Sequence, residues 1–194
     1  MKAYPFILGA AVLAAGCAQP STRLRDAIQQ SYVKPPCDNI IGLESSTTRP
    51  VPLDKPGLFK IFYYAWSGTD AFYFYTPFGE AVIDVNSGNP ISCDRLTETP
   101  RKITGPRWTE QADRLSETKF EAKGDWLDAQ TEAIGALYQS KRTPTAADKR
   151  LAEKYLKSFE ALSEPALESY YYRANPDFWE WLRGLIGRSI PKPS

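Results

Sequence analysis

Leu58-Phe-Lys-Ile-Phe-Tyr-Tyr-Ala-Trp66, followed after a short polar loop by Ala71-Phe-Tyr-Phe-Tyr75, is the stretch whose reading decides the fold. Nearly every position is apolar or aromatic, so neither run alternates as a strand with one wet face does. A pair of strands covered on both faces satisfies that pattern, and some other part of the chain must then cover the second face. The connecting Ser67-Gly68-Thr69-Asp70 is polar, contains glycine and has hairpin length.

Working outward toward the C-terminus, Thr76-Pro77-Phe78-Gly79 reads as a tight turn with proline at its first central position. A third strand from Glu80 to Val85 follows it. Asn86-Ser87-Gly88-Asn89-Pro90 then leads to a fourth strand, Ile91 to Cys93 or slightly longer, which completes a four-stranded antiparallel meander. The run Ala81-Val-Ile-Asp-Val-Asn-Ser-Gly88 resembles the strand-turn piece of PepSY-type envelope modules, a spacing that hairpins in general share. Residues 98–107 are polar and hold Pro100 and Pro106, so they read as irregular.

From Trp108 the periodicity turns helical. Thr109 caps a helix toward Lys123, Gly124 ends it, and Asp125 caps a second one reaching about Ser140. Thr145 and Asp148 have capping-box spacing ahead of Leu151, Tyr155, Leu156, Phe159 and Leu162, an amphipathic series suited to lying on a sheet. Ser163-Glu164-Pro165 restarts a helix carrying Leu167 and Tyr170-Tyr171-Tyr172. Asn175-Pro176 caps the last helix, on which Phe178, Trp179, Trp181, Leu182, Leu185 and Ile186 share one side. The predicted class is α+β, a meander sheet packed by C-terminal helices.

Toward the N-terminus, residues 38–57 hold Pro50, Pro52 and Pro56 among Ser and Thr, which marks an irregular or edge segment. Met1 to Gly16 has the parts of an export signal: Lys2, an apolar run from Phe6 to Ala15, and small residues before Cys17. Ten apolar residues cover only about 15 Å as a helix, too little to span a bilayer. Leu13-Ala14-Ala15-Gly16-Cys17 resembles the lipobox of bacterial lipoproteins, with Ala14 where Leu is usual. The resemblance implies cleavage before Cys17, acylation of that residue and membrane anchoring through several acyl chains. In the Gram-negative members, Ala18 after the Cys goes with sorting to the outer membrane and a periplasmic domain.

The expected organisation is a signal peptide over 1–16, an acylated Cys17 with a tether over 17–36, one domain over 37–190 and a disordered tail over 191–194. Within the tether, Thr22 is placed to cap a short helix with Leu24, Ala27 and Ile28 on one side. Nineteen tether residues fully extended reach about 65 Å. Cys37 and Cys93, 56 positions apart, are expected to bond in an oxidising envelope compartment.

Composition excludes several chemistries. The 194 residues contain no histidine, so imidazole bases, Ser-His-Asp and Cys-His nucleophile systems and His-containing zinc sites are out. The charges are 24 Lys and Arg against 23 Asp and Glu, and loss of Lys2 with the leader leaves 23 against 23. That balance and the absence of a basic cluster give no nucleic-acid footprint. Three cysteines are too few for a four-cysteine metal site, and no cofactor or metal is implied.

Three candidate sites remain. Tyr63, Tyr73 and Tyr75 on one face, or Tyr64 and Trp66 on the other, offer a platform for stacking on sugar rings, against the alternative of core packing. Glu80 and Asp84 share a strand face, but four strand residues put their Cα atoms about 13 Å apart, beyond glycosidase spacing. Phe178, Trp179, Trp181, Leu182 and Leu185 offer a docking face for an envelope protein, against packing on the domain or lying on a membrane. The reading is an outer-membrane-anchored, non-catalytic binding or scaffold component, with cell-wall glycan binding or hydrolysis as the alternative.

Overall fold

In a computed structural model, the protein is described over residues 23–38, 46–69, 72–97, 101–104, 117–162 and 168–187. Cys17, the tail 191–194 and the expected Thr109 start of a helix lie outside the described residues. The elements are α1 (Arg23–Ser31), β1 (Ser46–Thr47), β2 (Val51–Pro52), β3 (Leu58–Thr69), β4 (Phe72–Asp84), β5 (Asn89–Arg95) and β6 (Arg101–Thr104). They are followed by α2 (Glu117–Gln139), α3 (Ala146–Leu162), α4 (Glu168–Ala174) and α5 (Pro176–Ile186).

The architecture is α+β, with an antiparallel sheet built on two long central strands, β3 and β4. β1 and β2 both pair with β3, and β5 and β6 both pair with β4, so the sheet is four strands wide with each edge in two pieces. The segment expected to be irregular or edge thus supplies one edge. β6 was not expected, because its flanking prolines hide a four-residue strand that pairs Arg101–Thr104 with Tyr75–Phe72.

The turn expected at Thr76-Pro77-Phe78-Gly79 is absent, and the second and third expected strands are one. The register shifts there: Tyr63 pairs with Gly79 and Tyr64 with Pro77, leaving Phe78 as the extra residue of a bulge. Pro77 has no N–H to donate, so it suits a break in the ladder, and the Phe78 carbonyl accepts from Leu96 N at 2.8 Å instead. A second bulge between Val82 and Ile83 leaves Ile91 as the extra residue on β5, 54% exposed.

The bulge re-phases the sheet. Below it, Phe59, Ile61 and Tyr63 lie opposite Ile83, Ala81 and Gly79, and these form one face with Val85. That face is covered by α1, through Leu24 and Ala27, both fully buried. The layer required to close the second face therefore comes from the segment expected to be tether, and residues 23–36 belong to the domain. Cys37 and Cys93 form a disulfide, Cα atoms 5.1 Å apart, which ties the chain leaving α1 to β5.

The opposite face carries Phe62 and Tyr64 and packs against α2 to α5. Leu127, Thr131, Ile134 and Tyr138 recur at helical spacing along α2 and are buried there. Gly124 does not end a helix: α2 runs through it, as glycine inside a long packed helix costs only about 1 kcal/mol. Gly135 has a different role, because a Cβ at that position would sit 2.8 Å from the Phe59 ring, and only glycine lets α2 approach the sheet this closely.

α3 starts at the expected capping box, with Asp148 N donating to Thr145 Oγ1 at 3.3 Å and Thr145 N to Asp148 Oδ2 at 2.7 Å. α5 is capped by Asn175, which accepts from Phe178 N at 3.1 Å, has Pro176 in its first turn, and ends on left-handed Gly187 at φ 64°. The buried face of α5 completes the core: Phe178 lies 4.9 to 6.2 Å from the Trp179, Tyr138, Trp181 and Tyr155 rings, and Phe159 bridges Tyr171 and Trp179. Phe62 meets Tyr170 edge-on at 5.2 Å, which joins sheet to helices.

Candidate functional site

The expected sites disperse when placed on this frame. Tyr63 is not on a stacking platform: it is fully buried under α1, where its hydroxyl donates to Ser31 Oγ at 2.6 Å and Ser31 in turn donates to the Ile28 carbonyl at 2.6 Å. Burial pushes the Tyr63 phenol up, against the Ser31 hydrogen bond. Tyr32 meets its ring edge-on at 5.7 Å. Tyr63 is therefore a joint between sheet, α1 and disulfide, because a hydroxyl at the end of a buried ring requires a partner that α1 provides.

The platform grouping itself is corrected by the Phe78 bulge. Trp66 pairs with Tyr75 and Gly68 with Tyr73, so the positions of Tyr73 and Tyr75 are in phase with Tyr64 and Trp66, not with Tyr63. Tyr64 is buried in the helix-side core. The side chains of Trp66, Tyr73 and Tyr75 lie outside what the structure describes. A bulge inside a run read as a turn was the missing signal, and Pro77 within a strand-like stretch was its only trace.

The last helix turns its apolar side inward. Phe178, Trp179 and Leu182 are buried in the domain's own core, and Trp179 Nε1 donates to the Tyr171 carbonyl at 2.7 Å. As docking residues these three are corrected: the helices of one small domain need that area to close their shared core. Trp181 and Leu185 are half-buried at its rim.

The carboxylates are held in structural contacts. Glu80 pairs with Lys60 Nζ at 2.9 Å, and Asp84 accepts from Asn86 N at 2.9 Å to fix the β4–β5 turn. Among the described residues, no three His, Cys, Asp or Glu side chains come together as metal ligands would.

Two polar assemblies were not legible in the sequence. At the first, Tyr138 donates to Asp54 Oδ1, while Asn175 Nδ2 donates to the Pro52 carbonyl at 2.8 Å. Burial, and then the hydrogen bond to Asp54, pushes the Tyr138 phenol up to about 12. This network holds the turn after β2 against α2 and α5. At the second, a cleft of about 300 Å³ opens where Arg23, Gly57, Asn86, Glu132, Gln139 and Ser140 converge. Glu132 accepts from Arg23 Nε at 2.9 Å and from Leu24 N at 3.4 Å, so it both pairs with Arg23 and caps α1. Gln139 donates to the Leu53 and Leu58 carbonyls and accepts from Gly57 N at 3.0 Å, closing the turn in which Gly57 adopts φ 80°. Arg23, Glu132, Gln139 and Ser140 are engaged in hydrogen bonds within the fold, which suits holding elements together more than binding a charged ligand.

Compared with known proteins, the chain matches no family model, no curated protein and no solved structure. Among the described residues no helix is long and apolar enough to cross a membrane.

Proposed function

We propose that this protein is an envelope lipoprotein, acylated at Cys17 and held on the periplasmic side of an outer membrane, whose domain is a non-catalytic binding or scaffold component of an envelope assembly. The observation that carries the reading is the Cys37–Cys93 disulfide in a chain whose first residues, ending Leu13-Ala14-Ala15-Gly16-Cys17, resemble a lipoprotein export signal. A disulfide suits an oxidising compartment, and that leader is the route to one.

A binding role is favoured over catalysis because the chain lacks histidine and its candidate groups Tyr63, Glu80 and Asp84 are bound within the fold. The same contacts weigh against the glycan reading. The test is the intact mass of the protein from membrane fractions, with and without reduction, beside a Cys17→Ala variant. A triacylated chain starting at Cys17, with a two-proton deficit restored by reduction, is expected. An unmodified soluble chain would overturn the anchor.

A further inference from the structure

The docking of α1 changes what an anchor at Cys17 does to the domain. Arg23 stands six residues after Cys17, and it opens a helix fixed to the rest of the domain at both ends. At its start, Glu132 of α2 holds Arg23 and the backbone N–H of Leu24. Beyond its end, the Cys37–Cys93 disulfide and the Lys34 to Asn89 hydrogen bond of 2.9 Å fix the following turn. Only five residues, 18–22, then separate Cys17 from Arg23, and six Cα steps reach at most about 22 Å however they are arranged. Nineteen residues would have reached about 65 Å.

Against that reach stands the length of the domain. β3 runs from Leu58, next to the cleft that Arg23 lines, to Thr69, a rise of about 36 Å. A tether shorter than the domain cannot let it turn over above the bilayer.

We infer that the end of the domain around Arg23 rests on the lipid headgroup surface, and that the β3–β4 hairpin points away from the bilayer toward the envelope space. The inference rests on the acylation of Cys17 proposed above. The membrane-facing surface comprises Arg23, the Lys55 turn, Asn86, and the chain leaving α2 through Lys141 and Arg142. Its cations Arg23, Lys55, Lys141 and Arg142 are matched by the carboxylates Asp54, Asp84, Glu132 and Asp148, so the tether and not charge attraction sets the orientation. The hairpin end, where Trp66 pairs with Tyr75 and Tyr73 with Ile103, is the surface an envelope partner meets first.

The experiment uses the full acylated chain in phosphatidylethanolamine and phosphatidylglycerol vesicles that contain a lipid with a nitroxide quencher on its headgroup. A fluorophore is attached singly to Lys55→Cys, Lys141→Cys or Thr69→Cys, the native thiols being acylated or in the disulfide. Several-fold stronger quenching at positions 55 and 141 than at 69 is expected. A long Gly/Ser spacer inserted between Pro20 and Ser21 should abolish the difference while the protein still floats with the vesicles. Equal quenching at the three positions, or the strongest at 69, overturns the orientation with the anchor intact. A difference that survives the spacer overturns the tether as its cause. A chain that neither floats nor carries acyl mass overturns the anchor, and the orientation with it.

Discussion

The two faces of the sheet are held by different means. On one, a nine-residue helix covers Ile61, Tyr63, Ala81 and Ile83 with little more than Ala27 and Ile28, while Phe59 is shared between Leu24 and Gly135 of α2. A helix of that length does not hold in water by itself. It is secured by the disulfide that follows it, by Glu132 at its start and by the Tyr63 hydroxyl at its last turn. On the other face, four helices interlock aromatic rings around Phe178 and Phe159, and apolar burial does the holding. Where buried area is small, covalent and polar constraints take over the task that packing performs elsewhere.

Phe178→Ala is the largest single break in that contrast. The ring is fully buried and touches four other aromatic rings, so its removal should cost about 3–5 kcal/mol. In a denaturant melt both faces should lose protection together, since the helix-side core carries the global stability. If α1 unfolded alone while α2 to α5 kept their midpoint, Phe178 would not be the keystone.

Removing the staple should do the reverse. A Cys37→Ala, Cys93→Ala chain is expected to lose about 2–4 kcal/mol, with the loss falling first on α1. Native-state amide exchange reads it directly: α1 amides should approach unfolded rates while those of α2 and α3 remain protected. Equal acceleration of exchange on both faces in the variant would show that α1 docks by packing alone and would erase the difference between the faces.

The same contrast explains what the sequence made legible. The helix-side elements were readable because their signals are local and periodic: the Thr145 capping box, the Asn175-Pro176 cap and the apolar series along α3 and α5 form helices where expected, although α3 packs mainly on α2 and α5 rather than on the sheet as its pattern suggested. The α1 face was not. Leu24, Ala27 and Ile28 show a helix in 23–31, but nothing local distinguishes a helix in a tether from one docked on a sheet, because docking depends on Glu132 and Tyr63 at the far side of the fold. The doubly apolar pattern of β3 demanded a second layer without naming it. Pro77 and Gly79 misled for the opposite reason, since residues that commonly make turns here make a bulge in a continuous strand, and with it the face of Tyr73 and Tyr75 changed. Candidate sites suffered most, because a Tyr or Trp on a strand has the same sequence signature whether it packs or binds.

The smallest effect lies at the start of α3, where the helix-side face does use a polar device. Arg142, donating at 2.7 Å, and then the Thr145 N–H and hydroxyl hold the Asp148 carboxyl well below the usual carboxylate range. A carboxyl depressed in the folded state adds stability that is fully present above its unfolded pKa, about 4, and is lost as pH falls through the folded value. Asp148→Asn should therefore lie below the native chain in stability at neutral pH, and the gap should close progressively as the pH drops below about 4. The pair sits at the surface, so added salt should narrow the neutral-pH gap by the Arg142 share and leave the capping share of Thr145. Thermal melts of both chains across pH and salt measure it. A gap unchanged down to the acid limit would mean that the cap acts through the neutral side chain, and α3 would then owe its start to packing like the rest of its face.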